Sequence, residues 1–529
     1  MKAIFNTSLN EKIKKKKYLL LFLGITGYSL VLIGATAIQV RNGLIGDVLK
    51  PIIKNNISIP SSYLKSLFID LKPLILDIKH ENILKISETR KKAVKIGELF
   101  PTDDDWIKTK VSFGNKIYKA DIRLKGQYID HWRDDGKWSY KIKVKGRNAI
   151  LGMKRFAIQH PRTRNYMNEW YFHKMSKNAG LIAPRYIFNP LIINGEKYPV
   201  YALEENFDTK LIENNDRREG PIFRIRSRGN SLNKRMTGVF FYQKNKLNST
   251  DIGKLSSRRA ERLIQGFFNE QLDAEEVFDL RLMARATVIC DLFGHHALEP
   301  RNIRYYLNPV TGLVEPILFD NANLIRDFWD LSKSTLFGER YSQRGDKKYI
   351  IPISEINNAK IHSMLFSNKK FSKAYGEALQ EISSVEWLDN FFSSIDNEAK
   401  RNLSILHRSY PWYEFDYIKD IYRNAAHIRF LINPSDALSA YFEEFDDPNK
   451  SPKIIVKNNH SLPLEIVKIE TQEGEEVLNL KENPKFISNR SISCRDDKCQ
   501  KEILYTHNYE EIYLPKLNKS NKNLRLISR

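Results

Sequence analysis

Residues 291–322 read DLFGHHALEPRNIRYYLNPVTGLVEPILFDNA, and the second part of this stretch has the pattern of a hairpin. IRYYL and VEPILF are apolar runs of strand length, and the Asn308–Gly312 segment NPVTG between them carries turn residues. In an unbulged antiparallel pair, facing residues keep a constant sum of numbers. Asn302 and Asp320 each lie nine positions from residue 311, so the spacing predicts that they face each other at the open end of the hairpin. A carboxylate beside a carboxamide supplies oxygen donors for a hard cation such as Mg2+. Asp291 falls near the C-terminal end of a helix, where the macrodipole disfavours negative charge. A residue that breaks a local rule is a candidate for function. The structural alternative is that Asp320 caps the next helix, Asn302 makes a turn contact and Asp291 pairs with an arginine such as Arg285.

Upstream of the hairpin, Asp273 with Glu276 three residues on makes a capping box for a helix that runs through VFDLRLMARATVICDLFG. Further helices are expected around residues 371–406 and 412–432. Earlier still the chain alternates. WIKTKVSFG, KIYKADIRLKG and WSYKIKVKG read as strands, with Trp138, Tyr140, Ile142 and Val144 on one face of the third and Lys141 and Lys143 on the other. A helix near Asn165–Asn178 ends at Gly180, and IFNPLIING and YPVYALEE join through Asn194–Gly195, a strong hairpin signal. Residues 63–97 have a charged helical pattern that Pro73 divides, and 41–60 read as a linker broken by Pro51 and Pro60. Beyond Asn433-Pro434-Ser435, KIIVKNN, LEIVKIET and EILYTH point to a small β-sandwich-like domain. The pattern predicts an α+β chain: a tail over 1–17, a span over 18–40, a linker and helix over 41–99, a main domain over 100–435 and a β-rich domain over 440–529.

Tyr18 to Val40 is a run of 23 residues without a charge, preceded by Lys12 and Lys14 to Lys17. A helix of roughly 20 apolar residues spans a bilayer. The lysines predict that the N-terminus stays in the cytoplasm. The expectation is therefore a single-pass protein of the cell (inner) membrane whose body is extracytoplasmic or periplasmic. The apolar run is longer than a cleaved signal peptide requires. The formal charge of +23 invites anionic partners. In that compartment these are an anionic glycan, another polyanion or an envelope protein, and nucleic acid is not expected. Cys494 and Cys499 flank a polar loop and could close a disulfide, or remain thiols, while Cys290 reads as core. His295 and His296 lack the spacing of a zinc site. There is no GxSxG elbow, Walker loop or Rossmann fingerprint.

Taken in order, RLKGQYIDHW, KWSYKIKVKG, LGMKRFAIQHPRTRNYMNEWYFHKM, YALEENFDTKLIENNDRREGPI and the segment 291–322 resemble the CotH kinase family, the spore-coat-protein-H-like proteins. The resemblance covers roughly residues 80–430. It implies a bilobal, atypical kinase-like domain that uses Mg2+ and ATP or another nucleotide. It gives the phosphate lysine as Lys141 or Lys143, its acidic partner as Glu169, and Glu204 and Glu205 as residues at the hinge between lobes. It gives Asn302 as the catalytic-loop asparagine and Asp320 as the metal-binding aspartate. The sequence departs from the kinase pattern in two places. Ala297 stands five residues before Asn302, where kinases carry the catalytic Asp, and no glycine-rich phosphate loop is visible. Asp291 and His296 are the candidates to replace that base. Two functions follow: a membrane-anchored phosphotransferase acting on an envelope protein or glycan, or a non-catalytic kinase-like scaffold that binds a polyanion or glycan.

Overall fold

The alternating strands expected from about residue 100 onward close into a barrel in a computed structural model of the chain. The structure describes Ser29 and residues 59–127, 129–133, 137–227, 237–293, 303–320, 339–344, 347–352, 360–433, 437–443, 451–460, 462–488, 491–494, 503–506, 509–515 and 524–528. The chain divides into two compact units. The first comprises residues 1–69 with 410–413, and its described part includes the helix Ile59–Leu67. On that unit Tyr63, Leu64, Leu67 and Phe68 are exposed. Among the described residues no helix is long and apolar enough to cross a membrane, and the stretch 18–40 lies outside them apart from Ser29.

The second unit holds everything else. Its barrel is built from β1 (Leu74–Asp77), β2 (Ile107–Phe113), β3 (Lys116–Leu124), β4 (Tyr140–Val144), β5 (Arg155–Gln159), β6 (Tyr186–Ile193) and β7 (Glu196–Glu205), in the order β1-β2-β3-β4-β5-β7-β6. Inward residues of period two fill it: Leu76, Val111, Ile122, Ile142, Phe156, Ile158 and Leu203 are fully buried in one core. Residues 74–77 correct the helical expectation for 63–97. LILD is a strand, antiparallel to β2 and parallel to β6, and it completes the closure. Burying Leu74 and Leu76 in the barrel outweighs the helical pattern around them. The β6–β7 hairpin turns at Asn194 and Gly195, both at positive φ, as its Asn-Gly pair requires.

A second sheet, ordered β11-β10-β8-β9, comprises β8 (Ile222–Ser227), β9 (Thr237–Phe241), β10 (Ile303–Leu307) and β11 (Val314–Leu318). The β10–β11 register pairs Ile303 with Leu318 and Leu307 with Val314. The sum is one less than the spacing argument assumed, and Asn302 itself lies outside the described residues. The turn is the reason. Asn308 N–H donates to Leu313 O and Gly312 N–H to Asn308 O, which encloses an even number of turn residues rather than centring on 311. The long helix expected from Asp273 is two helices. The capping box starts Ala274–Val277, Phe278 then goes extended to bridge Val314, and Asp279 caps Leu280–Leu292 through the Leu282 N–H.

Helices Lys369–Ile382 and Ile418–Ile432 pack on Leu280–Leu292, and Val385–Leu406 packs on those two helices and on β6. A separate two-stranded sheet pairs β12 (Glu339–Arg344) with β13 (Lys347–Pro352). The C-terminal strands are β14 (Leu438–Glu443), β15 (Lys453–Asn458), β16 (Leu464–Thr471), β17 (Glu476–Asn479), β18 (Lys485–Ile487), β19 (Ser491–Cys494), β20 (Ile503–Thr506), β21 (Tyr509–Tyr513) and β22 (Leu524–Ser528). The β14-β15-β21 sheet and the sheet built on β16 share one core of Ile454, Val456, Ile466, Ile469, Ile487 and Ile512.

Candidate phosphate and metal site

The register of the barrel places a group of polar residues on its outer face. On β4, Tyr140 and Ile142 point into the core, so Lys141 points out. Lys125 continues β3, its N–H donating to Ser139 O, and shares that outer face. Gln159 of β5 and Glu204 of β7 lie on it too, since Ala157 pairs with both Lys141 and Glu204. Lys125 Nζ is paired with Glu204 Oε2 and donates to Gln159 Oε1, and all three residues are buried.

Two further elements close on this face. After β5 the chain makes a tight turn over Pro161–Arg164, with Asn165 and Tyr166 both at positive φ. Asn165 tolerates that conformation better than most residues. The turn swings Arg164 inward, and the helix Asn168–Asn178 then presents Glu169 and His173 one turn apart. Asp320, at φ +66 after β11, donates its backbone N–H to Glu169 Oε1 at 2.6 Å. Its carboxylate meets Arg164 Nη1 at 3.0 Å, and Arg164 Nε lies 3.9 Å from Glu204 Oε1. His173 Nε2 is 3.0 Å from Glu169 Oε1.

The electrostatics follow from burial and charge. Burial by itself would raise Glu204, but Lys125 and Arg164 override it and hold the carboxyl down at about 2. Burial would lower Arg164, yet the carboxylates of Asp320, Glu204 and Glu169 outweigh it and raise the guanidinium further. Lys141 is pushed down to about 7, first by burial and then by the charges of Lys125, Arg123 and Arg304. Arg304 reaches the site from β10, where the ring of Phe319 lies 4.4 Å from its guanidinium carbon and Tyr242 accepts from its Nε. Lys141 thus stands among cations, whereas Lys125 and Arg164 have carboxylate partners. An anion placed there relieves this repulsion and restores the proton to Lys141.

Two donor sets for a cation can be compared. Glu169, His173 and Glu204 bring one ligand atom each within 4.8 Å of one another, all buried. Glu204 already neutralises Lys125, Glu169 holds the Asp320 N–H, and Arg164 sits between them, so this set fits a polar network better than a metal. Asp320 is partly exposed at the edge of the cluster. One carboxylate of that kind, completed by phosphate oxygens, is how Mg2+ is ordinarily held. The group is therefore compatible with the residues present at Asp320.

The sequence-predicted residues sort by their positions. Lys141, Glu169, Glu204 and Asp320 come together. Lys143 lies further along β4, opposite Asp121 and Arg155. Glu205 faces the other way, and its carboxylate takes Arg185 Nη2 at 2.9 Å and Asn214 Nδ2 at 2.9 Å. Asp291 is buried within the helices, accepting from the Tyr375 hydroxyl at 2.6 Å, and burial raises its pKa to about 8. Arg285, its expected partner, pairs instead with Glu381 and with Ala179 O. His295, His296, Ala297, Asn302 and Cys499 lie outside the described residues. Cys494 ends β19, and Cys290 is buried in the core.

Lys125 and Arg164 are the residues that sequence reading missed. The alternation that turns Ala120, Ile122 and Leu124 inward also turns Lys125 outward, so that signal was present in the quoted strand. Arg164 gave no such signal, because only the turn after β5 brings it inward.

No curated protein matches the chain. The CotH kinase protein model matches residues 122–430, more than half of the chain and the whole of the cluster just described. Membership suggests a kinase-like phosphotransferase and implies nucleotide binding in general. On that match, the chain belongs to the CotH kinase protein family.

Proposed function

We propose that this protein is a membrane-anchored phosphotransferase that takes its phosphoryl group from a nucleoside triphosphate held on the outer face of the barrel. The observation that carries the reading is that Lys141 and Lys125 share the outer barrel face on which Arg164 and Asp320 close, where burial and three neighbouring cations push Lys141 down to about 7. A cationic face of this kind suits polyphosphate, and phosphoryl transfer depends mainly on positioning and charge stabilisation. Lys141 and Lys125 would contact phosphate oxygens. Asp320 would hold Mg2+, which would supply positive charge to stabilise the phosphate oxygens. Glu169 fixes the backbone of Asp320, and Arg164 orients its carboxylate. In this reading Tyr18–Val40 anchors the chain in the cell membrane, with the body outside the cytoplasm acting on an envelope protein or glycan.

The test is calorimetric titration of the full chain in detergent with ATP, GTP and ADP, with and without Mg2+. The expected result is Mg2+-dependent binding of one nucleotide that Asp320→Ala weakens strongly. No binding heat with any of the three would overturn the reading.

A second reading has its own support. Arg164 already occupies one oxygen of Asp320, and Ala297 stands at the position of the usual catalytic base. A nucleotide would then be bound without metal and without turnover. Undiminished binding in EDTA, with no phosphate release, would favour it.

A further inference from the structure

The C-terminal strands carry an exposed face that plays no part in the phosphate cluster, and residues 437–528 lie beyond the family match. The register of the β14-β15-β21 sheet defines this face. One row runs Glu443–Lys453–Tyr513 and the next Tyr441–Ile455–Glu511. Tyr509, two residues before Glu511, shares the face and is opposite Lys457. The other side of the sheet, through Ile454, Val456 and Ile512, is buried in the core. Tyr441, Tyr509 and Tyr513 are exposed by 57%, 58% and 61%.

We propose that this face is a carbohydrate-binding platform for a neutral polysaccharide chain. Four observations argue for that occupant. Each exposed ring is a tyrosine, with an apolar face to lie against the C–H surface of a sugar and a hydroxyl for its polar groups. Tyr509 and Tyr513 are four residues apart on one strand, about 14 Å, and Tyr441 is two strands away, about 10 Å, so the rings span several sugar units of an extended chain.

The charges on the face balance: Lys453 and Lys457 oppose Glu443 and Glu511, which leaves no net field for a polyanion despite the chain's overall +23. The polar groups are also already arranged. Lys453 Nζ lies 2.8 Å from Glu511 and 3.2 Å from Glu443, and Tyr513 donates its hydroxyl to Glu511 Oε2 at 3.0 Å. This chain of contacts holds the Tyr513 ring before any ligand arrives. A protein partner would have to desolvate those ion pairs, which is costly. A sugar's hydroxyls can hydrogen-bond to them in a wet interface.

The experiment probes the full chain in detergent against arrayed neutral oligomers of glucose, xylose and N-acetylglucosamine, with heparin as a polyanion. The expected result is binding to at least one neutral oligomer that added salt does not weaken. Tyr509→Ala with Tyr513→Ala should lower its affinity by about tenfold or more, as loss of aromatic anchors does. Tyr441→Ala, on a different strand, should weaken it independently, and Tyr513→Phe, which keeps the ring, should retain most of it. Nucleotide binding should be unchanged in all of these variants, which separates this inference from the proposed phosphotransferase. The platform is overturned if no neutral oligomer binds, if the alanine variants bind as wild type does, or if only heparin binds and salt abolishes it.

Discussion

Lys141 shows how much one side chain's surroundings decide. As a sequence position it was one of two equivalent lysines on a strand face. In the fold burial and then three neighbouring cations push it down to about 7, while Lys143 lies further out. The protonated amine binds phosphate, so nucleotide affinity should fall as pH rises above about 7, by at most about tenfold per pH unit from this single group. Lys141→Arg should flatten that dependence, because a guanidinium stays charged, and Lys141→Met should lower affinity at every pH. Titration calorimetry between neutral and mildly alkaline pH reads both. Asp291 gives the opposite lesson: a carboxyl marked as catalytic is a buried acid with a tyrosine partner. Its pKa rises from 3.8 unfolded to about 8 folded, so between those values folding takes up a proton. Its contribution is full below about 4 and is lost as pH rises through about 8, with a slope of at most about 1.4 kcal/mol per pH unit. The stability of wild type relative to Asp291→Asn should therefore fall over that window, as urea unfolding at a series of pH values will show.

Among the elements, the link after β3 holds Lys125 in place. Gly126 sits at φ +97, and a Cβ there would collide with the ring of His131. That ring is buried and hydrogen-bonded at 3.0 Å to Ser139, the residue whose carbonyl receives the Lys125 N–H. Gly126→Ala should cost roughly 1–3 kcal/mol from the left-handed backbone, with the clash adding to it, and should weaken nucleotide binding by shifting Lys125. Denaturant midpoints and the same calorimetry measure the two effects. Several elements were legible because local chemistry specifies them: the Asn194–Gly195 hairpin, the Asp273–Glu276 capping box and the alternation of β2, β3 and β4. The strand at 74–77 and the break at Phe278 were not. Both depend on partners far away in the chain, β2 and β6 for one and Val314 for the other. The hairpin register was off by one because the hydrogen bonds inside a turn decide whether it holds an odd or even number of residues.

For the molecule as a whole, the uncharged run at 18–40 remains the basis for placing it at a membrane. Full-length protein should stay in the membrane pellet through an alkaline carbonate wash, and a chain lacking residues 1–40 should appear in the supernatant. Recovery of both in the supernatant would remove the anchor from the proposal. Periodicity, turn residues and the order of its motifs were enough to read from the chain an α+β body, a β-rich C-terminal region and kinship with the CotH kinase family, because these rest on short-range patterns. Closure of the barrel, the choice of Lys125 and Arg164 as the paired cations, the separation of Glu204 from Glu205 and the burial of Asp291 came only with the folded chain. Each of these depends on which residues far apart in the chain end up within a few ångströms, and burial and charge act over that distance rather than along the backbone.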